Sequence, residues 1–498
     1  MTSPARRQEG NTAHLDPEVI RVGADIVELL TSGMYVSPIT IFREYVQNAA
    51  DAIDLARSAG LLTPRERGKV QIEIDHPNRS VTIRDNGAGL PAAQAADVLL
   101  AIGGSAKRGT TARGFRGVGR LSGLAYCREL TFRTKAAGEP VETVVTWDAL
   151  ALRKSIASAP SATDVREVVA SSVFVESSPA VDLNAHFFEV TLYGVIRHRQ
   201  DLLINEHAIA HYLSQVAPVP FSPEFSFGTK IADMLSAADH ATPPIDLTVG
   251  TQLIFRPHRD TIRQPGTDKF FNISEVEFFE LLDVDGNVGA VGWLGHHEYL
   301  RSISVTLGVR GLRARIGDTQ IGESDIFDQS FREPRFNGWT VGELHVLDRR
   351  ILPNGRRDNF EVNHHSNNLL VQLGTLTANI SHRCRTSSIT RNSTMIIRNT
   401  IGDIDLLLTK ERIDSASLSR AQASINRAFH KVRGVADISI ATELSLELTR
   451  LREALFAMRQ SENAGVIASD VAISLVNKYV TSRDQAAKLI EALRTLQA

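Results

Sequence analysis

Three side chains able to do chemistry, Glu44, Asn48 and Asp51, recur at i, i+4 and i+7 within the segment from Ile41 to Ala52. That spacing aligns side chains on one face of an α-helix. An acid, an amide and a second acid then converge beside the small residues Ala49, Ala50 and Ala52. The small residues leave room for something bulky and polar, while Phe42, Val46 and Ile53 can anchor the helix to a core. The combination suits a metal-phosphate site. A solvated polar stripe on an ordinary amphipathic helix satisfies the same spacing.

Two further segments carry the same theme. After the turn-rich Asp75 to Arg79, the alternating run Ser80 to Arg84 reads as a strand and ends in Asp85-Asn86-Gly87-Ala88-Gly89-Leu90. Gly87 and Gly89, two apart, let the backbone turn sharply and approach a flat ligand, and Asp85 at the strand end can accept hydrogen bonds from an exocyclic amine. Asp-Asn-Gly is also a common β-turn. Next come Gly103-Gly104-Ser105-Ala106-Lys107 and a second glycine run containing Gly114, Gly117 and Gly119. Glycines there expose consecutive backbone N-H groups and Lys107 adds a point charge, so the segment can wrap a triphosphate. It has neither the residue order of a P-loop nor that of a dinucleotide fold. A glycine hinge is the plain alternative.

The elements that must position these residues follow from periodicity. Strands are expected at Val70 to Ile74, Val81 to Arg84, Leu130 to Thr134 and Val141 to Trp147, forming a sheet backed by helices. A second region mixes a helix at His207 to Val216 with strands at Leu247 to Phe255, Ala290 to Leu294 and Ile303 to Val309. The end of the chain is helical over Ser417 to Val432, Ile440 to Met458 and Val471 to Leu496. Leu444, Leu448, Leu451 and Leu455 form a stripe there that serves either an intramolecular core or a dimerisation or partner-binding surface. The Ser/Ala-rich stretch Ser155 to Ala162 reads as a loop or insertion.

Composition sets the bounds. The 498 residues suffice for two to four domains, with 43% hydrophobic content and 55 basic against 57 acidic side chains. No strong basic field advertises nucleic acid. Cys127 and Cys384 lie far apart and form no metal-ligand pair, which favours a reducing compartment. No apolar run is long enough to span a bilayer and Met1 to Gly10 lacks a signal-peptide core, so a cytoplasmic protein is expected, with no membrane partner.

In order and spacing, the three segments around Glu44, Asp85 and Lys107 resemble the N, G1 and G2 boxes of the GHKL ATPase superfamily. The wording of Phe42 to Asp54 is most similar to the Hsp90 (HtpG) branch. The resemblance implies an α+β chain. Its parts would be a flexible arm at 1–14, an ATP-binding α/β sandwich of Bergerat fold at 15–199, a middle α/β domain of ribosomal-S5-like type at 200–403, and a helical region at 404–498. It implies ATP and Mg²⁺ as ligands, with Glu44 as general base, Asn48 completing the Mg²⁺ coordination and Asp85 reading the adenine amino group. Gly87 and Gly89 would shape the base pocket, Lys107 would neutralise phosphate charge, and Gly114, Gly117 and Gly119 would cradle phosphates in a mobile lid. Asp51 would organise polar groups around the pocket.

The segment from Phe336 to Asp348, followed by Ile351-Leu352-Pro353-Asn354-Gly355-Arg356-Arg357-Asp358, resembles the Hsp90 middle domain. On that match Arg357, with Arg356 as fallback, reaches the γ-phosphate, and Asp358 stands in place of the usual glutamate. A basic surface loop is the alternative. One departure concerns the Gly-Thr strand that closes the family's pocket. His186 to Leu192 has the strand pattern without Gly-Thr, while Gly250 to Phe255 has the letters but lies far downstream.

The implied function is a slow, conformationally gated ATPase, a homodimeric clamp acting on protein clients. The alternatives are a switch engaging a dedicated partner in a bacterial defence system, and a DNA-handling clamp of the MutL or MORC kind. The near-neutral charge argues against the last.

Overall fold

The computed structural model describes residues 37–63, 65–101, 119–158, 165–197, 199–238, 244–266, 270–410, 413–480 and 482–495. Over these residues the fold is α+β, with two larger sheets, a two-stranded ribbon and, after them in the chain, a helical region. The chain divides into two units, Met1–His297 with Ser302–Ala378, and Glu298–Arg301 with Asn379–Ala498.

Helix α1 (Thr40–Ser58) opens the described chain. Ile41, Phe42, Tyr45, Val46, Ala49, Ala50, Ile53 and Ala56 fall at three- and four-residue steps, and all are buried. This apolar face drives the helix onto a sheet. Gly60, with φ at +71°, ends it in the left-handed conformation that suits glycine, and its N-H bonds to Arg57 O at 3.0 Å.

The sheet under α1 has eight strands: β1 (Lys69–Asp75), β2 (Ser80–Asp85), β3 (Glu129–Lys135), β4 (Val141–Asp148), β5 (Val173–Pro179), β6 (Phe187–Tyr193), β7 (Asp246–Val249) and β8 (Gln252–Leu253). Their spatial order is β5-β4-β3-β6-β2-β1-β7-β8. All pairs are antiparallel except β1 with β7, where Val70 faces Leu247. Helix α2 (Ala92–Leu100) follows β2, and α3 (Ala149–Ser158) and α4 (Val165–Ala170) follow β4. Helix α5 (Glu206–Val216) buries Ile209, Leu213 and Val216 in the same core as α1 and β7.

The second sheet runs β11-β12-β15-β13-β14, built from β11 (Glu275–Leu282), β12 (Val288–His296), β13 (Gly311–Ile316), β14 (Thr319–Ile321) and β15 (Val341–Val346). Helix α6 (Gly228–Ala237) packs Ile231 and Leu235 into its core with Trp293 and Val341. A short two-stranded ribbon, β9 (Thr261–Arg263) and β10 (Phe270–Asn272), precedes it.

This sheet holds a wholly buried ionic network. Glu343 of β15 is 0% exposed and accepts from Arg315 Nε at 2.6 Å and from Arg256 Nη1 at 2.5 Å. Arg256 Nη2 also meets Asp318 at 2.7 Å. The guanidiniums reach the end of α5 and the chain just after it, with Arg315 Nη2 donating to Gln215 O at 2.7 Å and Arg256 Nε to Val219 O at 3.0 Å. Burial alone would raise the Asp318 and Glu343 pKa values, but adjacent guanidiniums overcome it. Asp318 is held down at about 2 and Glu343 well below the ordinary glutamate value.

His258 lies beside this network with its ring 5.0 Å from Trp293 and 5.7 Å from Phe225, and neither nitrogen has a partner among the described residues. Burial pushes its pKa from 6.5 down to about 3. A folded pKa below the unfolded one contributes stability that is present above pH 6.5 and is lost as pH falls toward 3. His258→Phe fits the aromatic surroundings and should flatten that acid limb by up to about 1.4 kcal/mol per pH unit. Urea midpoints of parent and variant, compared at about pH 7 and about pH 4.5, measure the change. Parallel pH dependence in the two proteins overturns the prediction.

The smaller unit is helical, comprising the latter part of α7 (His364–Leu408), α8 (Ser415–Val432), α9 (Ile438–Tyr479) and α10 (Arg483–Thr495). Asp414 caps α8 by accepting from Ser417 N at 2.8 Å, and Asp437 caps α9 by accepting from Ser439 N at 2.9 Å. Leu444, Leu448, Leu451 and Leu455 are buried against Ile397, Ile401 and Ile404 of α7 and Leu418 and Ile425 of α8. The leucine stripe is therefore intramolecular core.

Four sequence expectations differ from the structure. The strand expected over Leu247 to Phe255 is the β7-β8 hairpin, which turns back at Gly250-Thr251 because Gly250 takes φ +55°. The strand expected over Ile303 to Val309 is a 3₁₀ turn, Val305–Leu307, closed by Gly308 at φ +71°. Ile303 and Val309 are still buried while Val305 is exposed, so the alternation of apolar residues in the sequence had imitated a strand. The stretch from Ser155 is helical as far as Ser158, within α3, and its remainder lies outside the described residues. The helix expected from Val471 is the end of α9, which runs on to Tyr479 before α10 begins.

Candidate functional site

Asp85 ends β2 between its partners Val70 of β1 and Phe188 of β6. Its carboxylate is buried and accepts from Gly87 N at 2.8 Å. The loop after it is clamped to α1, with Ala88 N donating to Ala52 O at 3.0 Å. A Cβ on Gly87 would lie 2.6 Å from the Cβ of Ala52, and a Cβ on Gly89, at φ +67°, would collide with the carbonyl of Lys135. Both glycines are thus required by the closeness of helix and sheet at this turn.

The family's Gly-Thr has no counterpart in the strand beside Asp85, because β6 is that strand and presents Phe188 there. Gly250-Thr251 forms the turn between β7 and β8 at the sheet's far edge. A hydroxyl does lie nearby on β3. Thr134 sits opposite Phe188, donates to Phe187 O at 3.2 Å and accepts from Leu90 N at 2.8 Å.

Glu44 lies on α1 with 5% exposure. Its Oε1 meets Arg43 Nη2 at 3.4 Å and Arg357 Nε at 3.5 Å, so one carboxylate is shared by two guanidiniums. Gly119 packs against it from the other side, where a Cβ would fall 2.6 Å from Oε2. The 3₁₀ segment Gly119–Ala125 is pinned to the same helix by Gly123 N donating to the Tyr45 hydroxyl at 3.0 Å. Burial pushes the Tyr45 phenol far above its ordinary range and raises Tyr212 of α5 to about 12, so both stay neutral. Asn48 and Asp51 continue along α1 from Glu44, one and two turns on, both partly buried.

Arg357 comes from the loop after β15. Its backbone stands at φ +57°, and its carbonyl accepts from Gly322 N at 2.9 Å. Nη1 donates to Gln47 Oε1 of α1. The neighbouring Arg356 is exposed, and its carbonyl accepts from Arg43 Nη2 at 3.3 Å. The loop is braced by Asn354 Nδ2 donating to Asp358 Oδ1 at 2.6 Å.

The structure thus brings Glu44, Gly119 and Arg357 together, and places Asn48, Asp51 and the Asp85 turn along the same helix. Lys107, Gly114, Gly117 and the arm at 1–14 lie outside the described residues. Sequence reasoning missed Arg43 and Gln47, which take part through contacts with residues more than three hundred positions away. Among the described residues no three His, Cys, Asp or Glu side chains converge as a metal cage.

Comparison with known proteins bears on the part of the chain that carries α1 and the Asp85 turn. Residues 36–173 match the family described as histidine kinase-, DNA gyrase B-, and HSP90-like ATPase. The chain is 30% identical over 141 residues to the chaperone protein HtpG of Acinetobacter baylyi, and equally to that of Polaromonas naphthalenivorans. It is 28% identical over 140 residues to HtpG of Yersinia pestis. Each match covers 25% of this chain and 22% of the relative, so the likeness spans less than a quarter of those proteins' length. The part of the chain that carries α1, the Asp85 turn and Gly119, residues 36–173, is an ATPase domain of the histidine kinase-, DNA gyrase B- and HSP90-like family.

Proposed function

We propose that the chain is an Mg²⁺-dependent, Hsp90-like ATPase whose nucleotide cycle drives a molecular clamp acting on protein clients or a dedicated protein partner. The observation that carries this reading is the meeting of Arg357 with Glu44 and Gln47, because it joins the loop after the second sheet to the proposed catalytic helix.

In this reading Glu44 takes the proton of the attacking water, as a carboxylate within hydrogen-bond reach of water can. Asp85 accepts the adenine amino group beside the turn shaped by Gly87 and Gly89. Gly114, Gly117 and Gly119 are the glycines this reading assigns to the phosphates and Lys107 the charge that neutralises them, while Asp51 organises polar groups around the pocket. Mg²⁺ fits the donor set, since one amide oxygen from Asn48 suffices for an ion that takes its remaining ligands from phosphates and water. When bound, it neutralises phosphate charge. The Arg357 fork matches phosphate oxygens and stabilises charge that develops during transfer.

Turnover is slow and gated because the Arg357 fork must exchange Glu44 for the γ-phosphate. Such an exchange makes ATP a ligand that favours one arrangement of the parts over another. A homodimer in the cytoplasm is the assembly this reading expects. Among the described residues no helix is long and apolar enough to cross a membrane.

The test is Arg357→Ala. Its kcat should fall about 100-fold while ATP affinity stays close to the parent's. Phosphate release at saturating ATP measures the first and calorimetry with a non-hydrolysable analogue the second. A normal kcat removes Arg357 from the site.

A further inference from the structure

We propose that Gln47 is the positioning residue for Arg357, holding its guanidinium at the Glu44 end of α1. The inference rests on the reading of Arg357 as part of the ATPase site. The backbone of the Arg357 loop is already fixed from several sides. Arg357 N donates to Asn354 O at 3.1 Å, its carbonyl accepts from Gly322 N at 2.9 Å, and the Arg356 carbonyl accepts from Arg43 at 3.3 Å. A Cβ on Gly322, at φ +66°, would lie 2.8 Å from Asp358 O, so the two backbones are in close contact. What this bracing leaves undetermined is the long, flexible side chain.

Two residues of α1 determine it. Arg357 Nη1 donates to Gln47 Oε1, and Arg357 Nε lies 3.5 Å from Glu44 Oε1. Residues 44 and 47 are three apart on one helix and so present adjacent acceptors to a single planar fork. Gln47 is 1% exposed, and its Nε2 finds no partner among the described residues. Its amide is therefore engaged through the oxygen alone. An unfilled buried N-H2 is costly where a residue serves only to fill space, so the contact with Arg357 is the reason for an amide here.

The neutral amide also suits a guanidinium that must move. It orients the fork through an ordinary hydrogen bond at Nη1 and leaves the guanidinium charge for the phosphate oxygens. A carboxylate at position 47 would instead hold the fork by a charge-assisted pair.

The experiment measures kcat and analogue affinity in the full-length chain for Gln47→Met, Gln47→Glu, Arg357→Ala and the Gln47→Met/Arg357→Ala double variant. Gln47→Met keeps the volume and loses the acceptor. It should lower kcat about tenfold with affinity within about twofold of the parent. Gln47→Glu, close in shape to the parent residue, should also be slow, because it retains the fork. In the Arg357→Ala background Gln47→Met should cost nothing further, since both changes remove the same interaction.

A normal kcat in Gln47→Met, with Arg357→Ala slow, overturns the assignment of Gln47 alone. Losses that multiply in the double variant overturn it as well, because Gln47 would then act without Arg357. Normal turnover in Arg357→Ala overturns the underlying reading and this inference with it. A thermal melt of each variant separates loss of fold, which lowers affinity and rate together, from loss of positioning, which lowers kcat alone.

Discussion

Glu44→Ala is expected to bind ATP and to hydrolyse it about 1,000-fold more slowly than the parent. The carboxylate is 5% exposed and lies between Arg43 and Arg357, with Gly119 leaving open the space beside Oε2. A general base works only if its geometry is held, and two guanidiniums hold this carboxylate. Removing it leaves the Asp85 turn untouched, because that turn is anchored by Ala88 on Ala52 and by Gly87 on Asp85 itself. Binding and chemistry should therefore separate. Glu44→Gln keeps the shape and should be slow too, which distinguishes loss of the base from collapse of the pocket. Phosphate release and analogue calorimetry on the same preparations give the two numbers, and turnover at the parent rate would falsify the assignment of Glu44 as base.

Glu343→Gln is expected to destabilise the chain by about 3–5 kcal/mol. Glu343 is the anion at the centre of the buried network, receiving Arg315 at 2.6 Å and Arg256 at 2.5 Å. Neutralising it leaves fully buried guanidiniums with Asp318 as the remaining carboxylate of the network, and water cannot compensate there. The effect should reach the surroundings of α1 as well, since the same arginines hold the carbonyls of Gln215, in the last turn of α5, and of Val219, just after it. Urea denaturation of parent and variant measures the loss. A midpoint within error of the parent would show that the network contributes specificity of folding rather than stability.

Several parts of this protein could be read directly from residue order. The α1 face needed only the three- and four-residue recurrence from Ile41 to Ala56, because a helix turns by a fixed angle per residue. The strands that flank Asp85 followed from alternation, and the leucines of α9 from the same helical period. Where one local pattern serves two structures, reading by period failed. Ile303 and Val309 are buried at the ends of a 3₁₀ turn, and their alternation suggested a strand. Gly250-Thr251 fits the family's letters, but it turns between β7 and β8 at the sheet's far edge, in keeping with its place far downstream, since letters carry no register.

By itself, then, the sequence determined the local elements and the chemistry each could offer: an acid-amide-acid helix, an Asp-Gly turn and an arginine loop. These depend on dihedral preferences and side-chain period, which act within a few residues. Only the tertiary structure decided which of those groups meet. The parallel pairing of β1 with β7, the seating of Phe188 beside Asp85 and the placing of Arg357 on Glu44 and Gln47 join residues dozens to hundreds of positions apart. Such contacts arise from closing long loops around a common core, and no periodicity along the chain encodes which distant partner the core will bring close.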